Sequence, residues 1–199
     1  MSDEETLAVY DAKAGEYATC FSKGDHPDTQ LRAFLDALPH AATVLDLGCG
    51  PGRTAGLMAA EGHAVTATDA SAEMVKLATK WPGVLASQAS FDDLTGDAIY
   101  DGIWANFSLL HAARGDLPRH FTAISKALKS GGVFHIGMKT GIGTDRDAIG
   151  RRYTYVTDVE LRNLMHDVLL TPIANWTGRD AGLAGTVDPW IVIQARKDG

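Results

Sequence analysis

Val44-Leu45-Asp46-Leu47-Gly48-Cys49-Gly50-Pro51-Gly52 is an apolar run that ends abruptly in three alternating glycines. The apolar half predicts a buried strand and the glycines predict the turn that follows it. Arg53-Thr54-Ala55-Gly56-Leu57-Met58-Ala59-Ala60 comes next, rich in helix formers, so the turn is expected between a strand and a helix N-terminus. Glycine permits φ > 0 and lets a ligand approach the main chain, while the first N–H groups of a helix have no internal partner. Such a turn is lined with donors and suits a polar or anionic ligand group.

The spacing of the glycines bears on which ligand that is. A dinucleotide site wants G-x-G-x-x-G/A, and counted from Gly48 and Gly50 the third slot falls on Arg53. The glycine comes one residue early, at Gly52. An acid, an apolar residue and then G-C-G-x-G, running from Asp46 to Gly52, resembles motif I of the class I S-adenosylmethionine (SAM) methyltransferases. The resemblance implies SAM as cofactor, with Asp46, Gly48, Cys49, Gly50 and Gly52 at its binding site. The plainer alternative is a tight strand-to-helix turn without a ligand.

Composition narrows the class of partner. At 199 residues the chain has room for one domain with a sizeable core, and 45% hydrophobic with 22% charged residues suggests neither disorder nor a disulfide scaffold. A net charge of −7 gives no global attraction to a polyphosphate backbone, which points to a small-molecule substrate and away from nucleic acid. The acidic start Met1-Ser2-Asp3-Glu4-Glu5 has no apolar leader core, and no run of eighteen apolar residues occurs, so no membrane role and a cytoplasmic location are expected. Cys20 and Cys49 lack metal-ligand spacing and are expected as free thiols, with no metal site. Oligomeric state is not readable here.

Taken in order, Leu7, Tyr10, Ala14, Tyr17 and Phe21 recur at helical spacing from Thr6 to about Lys23. Residues 24–28 read as a linker and Thr29 to Leu38 as a short helix stopped by Pro39. Strands are expected at 42–47, 64–69, 84–88, 101–106 and 133–138, alternating with helices that end near Glu61 and Lys80 and one over 117–128. Ser130-Gly131-Gly132 reads as a turn, 156–169 as the last helix, and 171–176 with 190–195 as two extended segments around a Gly- and Asp-rich loop. That alternation predicts an α/β, Rossmann-like, doubly wound and mostly parallel sheet, and the two extended segments read as a C-terminal antiparallel strand pair. The whole chain, 1–199, is expected to be one domain: a helical lid over 1–40 and a core over 41–199.

Asp69 ends the second strand twenty-one residues beyond Gly48, the distance at which an acid in βαβ nucleotide sites accepts hydrogen bonds from ribose hydroxyls. Asp69 or Ser71 could equally cap the following helix. The resemblance further implies that Ala70 and Met74 line the adenosine, that Ser90 and Phe91 flank the adenine, and that Asn106 reaches the cofactor from the end of the fourth strand. Tyr-Asp-x-x-Ala-x-x-Tyr, Tyr10 to Tyr17, is similar to the helix that lies over the cofactor in small methyltransferases. Tyr17 would then sit nearest the methyl group, with Tyr10 on the substrate side, although periodicity alone would make both packing residues.

His111 is the one residue just beyond the fourth strand able to act as a base near neutral pH. The segment lacks the N/D-P-P-Y/F signature of enzymes methylating adenine, cytosine or glutamine amino groups. Trp104-Ala105 through Leu109-Leu110-His111, Ala127-Leu128-Lys129-Ser130-Gly131-Gly132, and Lys139-x-Gly141 resemble a small bacterial subgroup related to the tellurite-resistance-type methyltransferases. That subgroup carries an acid and then Gly-Arg-aromatic after the lysine. This chain has Thr144 near the place of the acid, and Gly150-Arg151-Arg152 before Tyr153. Lys139, Arg151 and Arg152 could form a cationic rim for a carboxylate or phosphate, or a solvated loop.

The function these features imply is SAM-dependent methyl transfer to a small molecule, with His111 and Tyr17 as catalytic candidates. A SAM-binding protein without catalysis and an NAD-dependent oxidoreductase are the alternatives.

Overall fold

A computed structural model describes residues 3–20 and 26–199. Phe21, the expected helix end at Lys23 and the Gly24-Asp25 part of the linker lie outside the described residues.

Five strands form the parallel part of one sheet. They are β1 (Thr43–Leu47), β2 (Ala64–Asp69), β3 (Val84–Gln88) at its edge, β4 (Tyr100–Asn106) and β5 (Leu128–Lys139). Two later strands, β8 (Leu170–Ala181) and β9 (Val187–Lys197), complete seven in the order β3-β2-β1-β4-β5-β9-β8. The first five pair parallel, and β9 runs antiparallel to both β5 and β8. A short hairpin of β6 (Thr144–Arg146) and β7 (Arg152–Thr154) stands apart from it.

Period-two alternation sends successive strand residues to two cores. Leu45, Ile103, Phe134 and Ile136 pack with Phe121 and Ile124 of α5 (Leu117–Ala127) and Leu161 and Met165 of α6 (Asp158–His166). Val44, Val65, Trp104 and Val133 pack on the other face with Leu31, Phe34 and Leu35 of α2 (Thr29–Asp36) and Ala55 and Met58 of α3 (Arg53–Ala60). Caps decide where helices start: Asp28, Ser71 and Thr157 accept from Leu31, Met74 and Glu160 N–H, each worth about 1 kcal/mol. Ser71 therefore caps α4 (Ala72–Ala78), which leaves the Asp69 side chain for another purpose.

From β1 the chain winds outward through β2 and β3, then returns to lay β4 on the other side of β1. That reversal opens a crevice beyond the carboxyl ends of β1 and β4, the place where open α/β sheets bind ligands. Helix α1 (Glu4–Cys20) crosses this end, held by Asp3–Arg146 at 2.8 Å and by the Ser71 hydroxyl donating to Asp11 at 2.5 Å.

Three expectations need correction. Ser130-Gly131-Gly132 is not a turn between elements but a bulge inside β5, since Tyr100 pairs with Leu128 and Gly102 already with Val133. The Gly- and Asp-rich stretch is largely strand: β8 and β9 pair out to Ala181 and Val187, with the Trp190 indole over Gly178 and its N–H on Asp180 at 2.8 Å. The last helix is shorter than 156–169, because Thr157 caps its start and Leu169 turns to φ 60° past its end. No helix among the described residues is long and apolar enough to cross a membrane, and no cluster of potential metal ligands occurs among them.

Candidate active site

The crevice holds a cavity of about 290 Å³, just below the usual range for small-molecule sites. Its floor is the glycine loop. Gly48, Gly50 and Gly52 all take positive φ, at 78°, 54° and 79°. Gly48 and Cys49 N–H both donate to Thr68 O, at 2.8 and 2.9 Å, which ties the loop to β2. The Cys49 thiol is pushed up by burial, so the residue acts here through its backbone. The Tyr17 ring covers Gly50, where an added Cβ would lie 3.7 Å from it.

Gly52 is placed differently from expectation. It does not line the cavity; a Cβ there would meet Ala78 at 2.7 Å, so its bare backbone lets α3 pack against α4. Arg53 and Thr54, in the first turn of α3, line the cavity instead. Arg53 had served only to argue against a dinucleotide, and nothing in its sequence context marked it as a cavity residue.

Two carboxylates face the loop. Asp69 accepts from Gly50 N–H at 2.8 Å and Ser71 N–H at 2.9 Å, and burial raises its pKa. Asp46 is 3% exposed, and its Oδ2 has no hydrogen-bond partner among the described residues. Burial first, then the Asp69 charge, pushes its pKa up to about 8, partly offset by the Ala55 N–H at the start of α3. A buried carboxyl with an orphaned oxygen is complementary to an ammonium group, and Asp69 to a pair of hydroxyls. These acceptors fit SAM: Asp46 would hold its α-ammonium and Asp69 its ribose hydroxyls. When bound, SAM supplies an electrophilic methyl on a sulfonium.

The Asp46 shift has a consequence for stability. The folded protein binds a proton here that the unfolded chain releases near pH 3.8, so this stabilisation is present at low pH and is lost as pH rises through about 8. The melting temperature of the ligand-free protein is expected to fall across that window more steeply than that of Asp46→Asn. Parallel curves would mean that Asp46 ionises normally.

Ala70, Met74, Ser90 and Phe91 line the same cavity. Ser90 is committed locally, its N–H and hydroxyl both donating to Asp93 at 2.8 Å. Behind Phe91, with ring centroids 5.6 Å apart, lies His120, 4% exposed with Nδ1 unpartnered among the described residues. Sequence reading passed over His120 because it sits inside a helix with no motif around it.

At the other end, Asn106 is oriented by a buried relay. The Gln194 amide donates to Gln30 O at 2.7 Å and to His135 Nδ1 at 3.2 Å, so His135 is protonated on Nε2 and donates to Asn106 Oδ1 at 3.1 Å. The acceptor atom of Asn106 is thereby used, and its NH₂ is what remains for the cavity. Ser108 Oγ donates to Leu47 O at 2.6 Å and locks the chain against Gly48.

Tyr10, Tyr17 and His111 come together at this end, with the tyrosine rings edge to face at 5.6 Å. His111 Nε2 lies 2.8 Å from the Tyr10 hydroxyl and Nδ1 lies 2.6 Å from Arg152 O. Burial lowers the His111 pKa to about 4, so the ring is neutral at physiological pH. The cationic rim is not formed. Lys139 pairs with Asp188 at 2.7 Å and lies over the Tyr153 ring at 3.7 Å. Arg151 is buried and bound to Asp147 at 2.8 and 2.9 Å, and Arg152 donates to His111 O at 3.1 Å. None of the three lines the cavity, and each is paired with a carboxylate elsewhere: Lys139 with Asp188, Arg151 with Asp147 and Arg152 with Asp3 at 3.4 Å.

Comparison with known proteins agrees with this geometry. Residues 44–132 match the model of a family described as a methyltransferase domain. Over 121 residues the chain is 32% identical to the magnesium-protoporphyrin O-methyltransferase of Rhodobacter capsulatus, covering 57% of this chain and 54% of that protein. It thus spans about half the length of that curated relative. Among solved structures, Burkholderia thailandensis 1,6-didemethyltoxoflavin-N1-methyltransferase, with bound 1,6-didemethyltoxoflavin and S-adenosylhomocysteine, matches with a TM-score of 0.73 at 25% identity, over 100% of this chain and 92% of that one. A SAM-dependent methyltransferase from Methanosarcina mazei shares the fold, with a TM-score of 0.74 at 18% identity over 87% and 99% of the two chains. With the glycine loop, the reversal between β1 and β4 and the antiparallel end of the sheet, these matches give the chain the fold of the class I SAM-dependent methyltransferases.

Proposed function

We propose that the protein transfers the methyl group of SAM to a small-molecule acceptor. The observation that carries this reading is the buried Asp46 Oδ2, unpartnered among the described residues, beside the glycine loop and Asp69 in a cavity that α1 covers. Because the sulfonium methyl is already reactive, the chain's task is to align a nucleophile and exclude water. Tyr10 and Tyr17 do both from α1, while the loop, Asp46 and Asp69 hold the cofactor. A cavity of about 290 Å³ supports a small acceptor, and the acidic chain supports one that is not a nucleic acid. The magnesium-protoporphyrin and didemethyltoxoflavin enzymes, both named for small-molecule acceptors, support the same class. The two free thiols favour the cytoplasm as its place of work.

A screen of hydroxyl, ring N–H and thiol acceptors, read as S-adenosylhomocysteine release, tests this. Release above the acceptor-free rate is expected for at least one class. Binding of S-adenosylhomocysteine with no release in any class would overturn the proposal.

A further inference from the structure

His111 ends a chain of hydrogen bonds whose polarity is set from one side. The Arg152 carbonyl oxygen can only accept, so Nδ1, 2.6 Å away, carries the ring proton. In the neutral ring Nε2 is then an acceptor, and the Tyr10 hydroxyl at 2.8 Å donates to it. Arg151 Nη1 donates to the same Tyr10 oxygen at 3.2 Å, its guanidinium fixed in turn by Asp147. The Tyr10 oxygen has thus given its own hydrogen away and taken one from Arg151. What it has left is a lone pair, and both Tyr10 and His111 line the cavity.

Resting on the methyl-transfer reading, we propose that the Tyr10 oxygen receives the X–H hydrogen of the methyl acceptor and passes its own proton to His111 Nε2, which makes the acceptor a hydroxyl or ring N–H nucleophile. The bonds balance. The X–C bond forms as the S–CH₃ bond breaks and its electron pair returns to sulfur; the X–H proton moves to Tyr10 and the Tyr10 proton to His111. One positive charge enters the cavity on the sulfonium and one remains, on the imidazolium, so no charge is created in a buried site. A weakly basic histidine is sufficient for that exchange, because the sulfonium charge disappears as the ring becomes charged. Arg151 is a positioning residue, its guanidinium favouring negative charge on the Tyr10 oxygen during transfer. The same network explains why Arg151 cannot serve as an anion-binding rim.

The test combines two measurements. Spectra of ¹⁵N-histidine-labelled protein at pH 7, with and without S-adenosylhomocysteine, are expected to show His111 neutral and protonated on Nδ1. Tyr10→Phe is expected to shift the Nε2 resonance by removing its donor. A cationic His111, protonation on Nε2, or an unmoved resonance would overturn the proposal. Turnover is then compared for phenol and for thiophenol, which is largely ionised at neutral pH and has no proton to hand over. Tyr10→Phe should lower S-adenosylhomocysteine release from phenol on the order of 100-fold and change the phenol-to-thiophenol ratio by about tenfold or more. Equal losses on both probes would reduce Tyr10 to a structural part and overturn the relay. Release from neither probe leaves the histidine spectra to decide the proton chain by themselves.

Discussion

Gly48→Ala is expected to leave a less stable protein that no longer binds S-adenosylhomocysteine measurably. Gly48 sits at φ 78°, where a residue with a Cβ is disfavoured by about 1 to 2 kcal/mol. The added Cβ would also fall 2.3 Å from the Cβ of Ser108, well inside contact distance. Ser108 has nowhere to go: it is 6% exposed and its hydroxyl is bound to Leu47 O. Overpacking of this kind costs about 1 to 3 kcal/mol. The strain is relieved most directly by lifting the loop from β2, which breaks the Gly48 and Cys49 bonds to Thr68 O and dismantles the cofactor floor. Calorimetric titration should show at least about a 100-fold loss of affinity, equivalent to about 2.7 kcal/mol. Adding Ser108→Gly removes the collision but not the φ penalty, so the double variant should melt above Gly48→Ala and below the parent. A double variant no more stable than the single one would show that the collision is not the cause.

Asp69→Ala is expected to weaken S-adenosylhomocysteine by about 1.5 to 3 kcal/mol, the value of a charge-assisted hydrogen bond to the ribose, or roughly 10- to 150-fold. The upper end is favoured because Asp69 also anchors Gly50 and Ser71 N–H, so its loss loosens the loop as well as the ligand. Asp69→Asn keeps the volume and one acceptor oxygen and should fall between the parent and alanine. Either change removes the second cause of the raised Asp46 pKa and should let that carboxyl ionise at lower pH. Unchanged affinity in Asp69→Ala would place the ribose elsewhere.

The parts of this site that could be read from sequence are those whose physics is local. An apolar run, positive-φ residues and a helix start lie consecutively from Val44 to Ala60, and Asp69 follows at a distance set by one helix and one strand. What could not be read is what the sheet brings together from afar. Tyr10 meets His111 across 101 positions and Lys139 meets Asp188 across 49, and only the second pairing shows that the lysine is unavailable. Gly52 shares the loop with residues that line the cavity, whereas its own constraint comes from Ala78 on the next helix. In the 170–197 hairpin glycine and aspartate weaken the strand pattern of the sequence, while Trp190 bridging Gly178 and Asp180 restores the pairing in space.

What the loop between β1 and α3 binds decides the function of the site. A thermal-shift titration of the full chain with S-adenosylhomocysteine, SAM and NAD tests that directly, since a ligand that binds only the folded state raises the melting temperature with its concentration. The two adenosyl ligands are expected to stabilise the protein in a saturable way and NAD to leave it unmoved. Stabilisation by NAD with no response to S-adenosylhomocysteine would contradict the assignment of Asp46, the glycine loop and Asp69 to SAM.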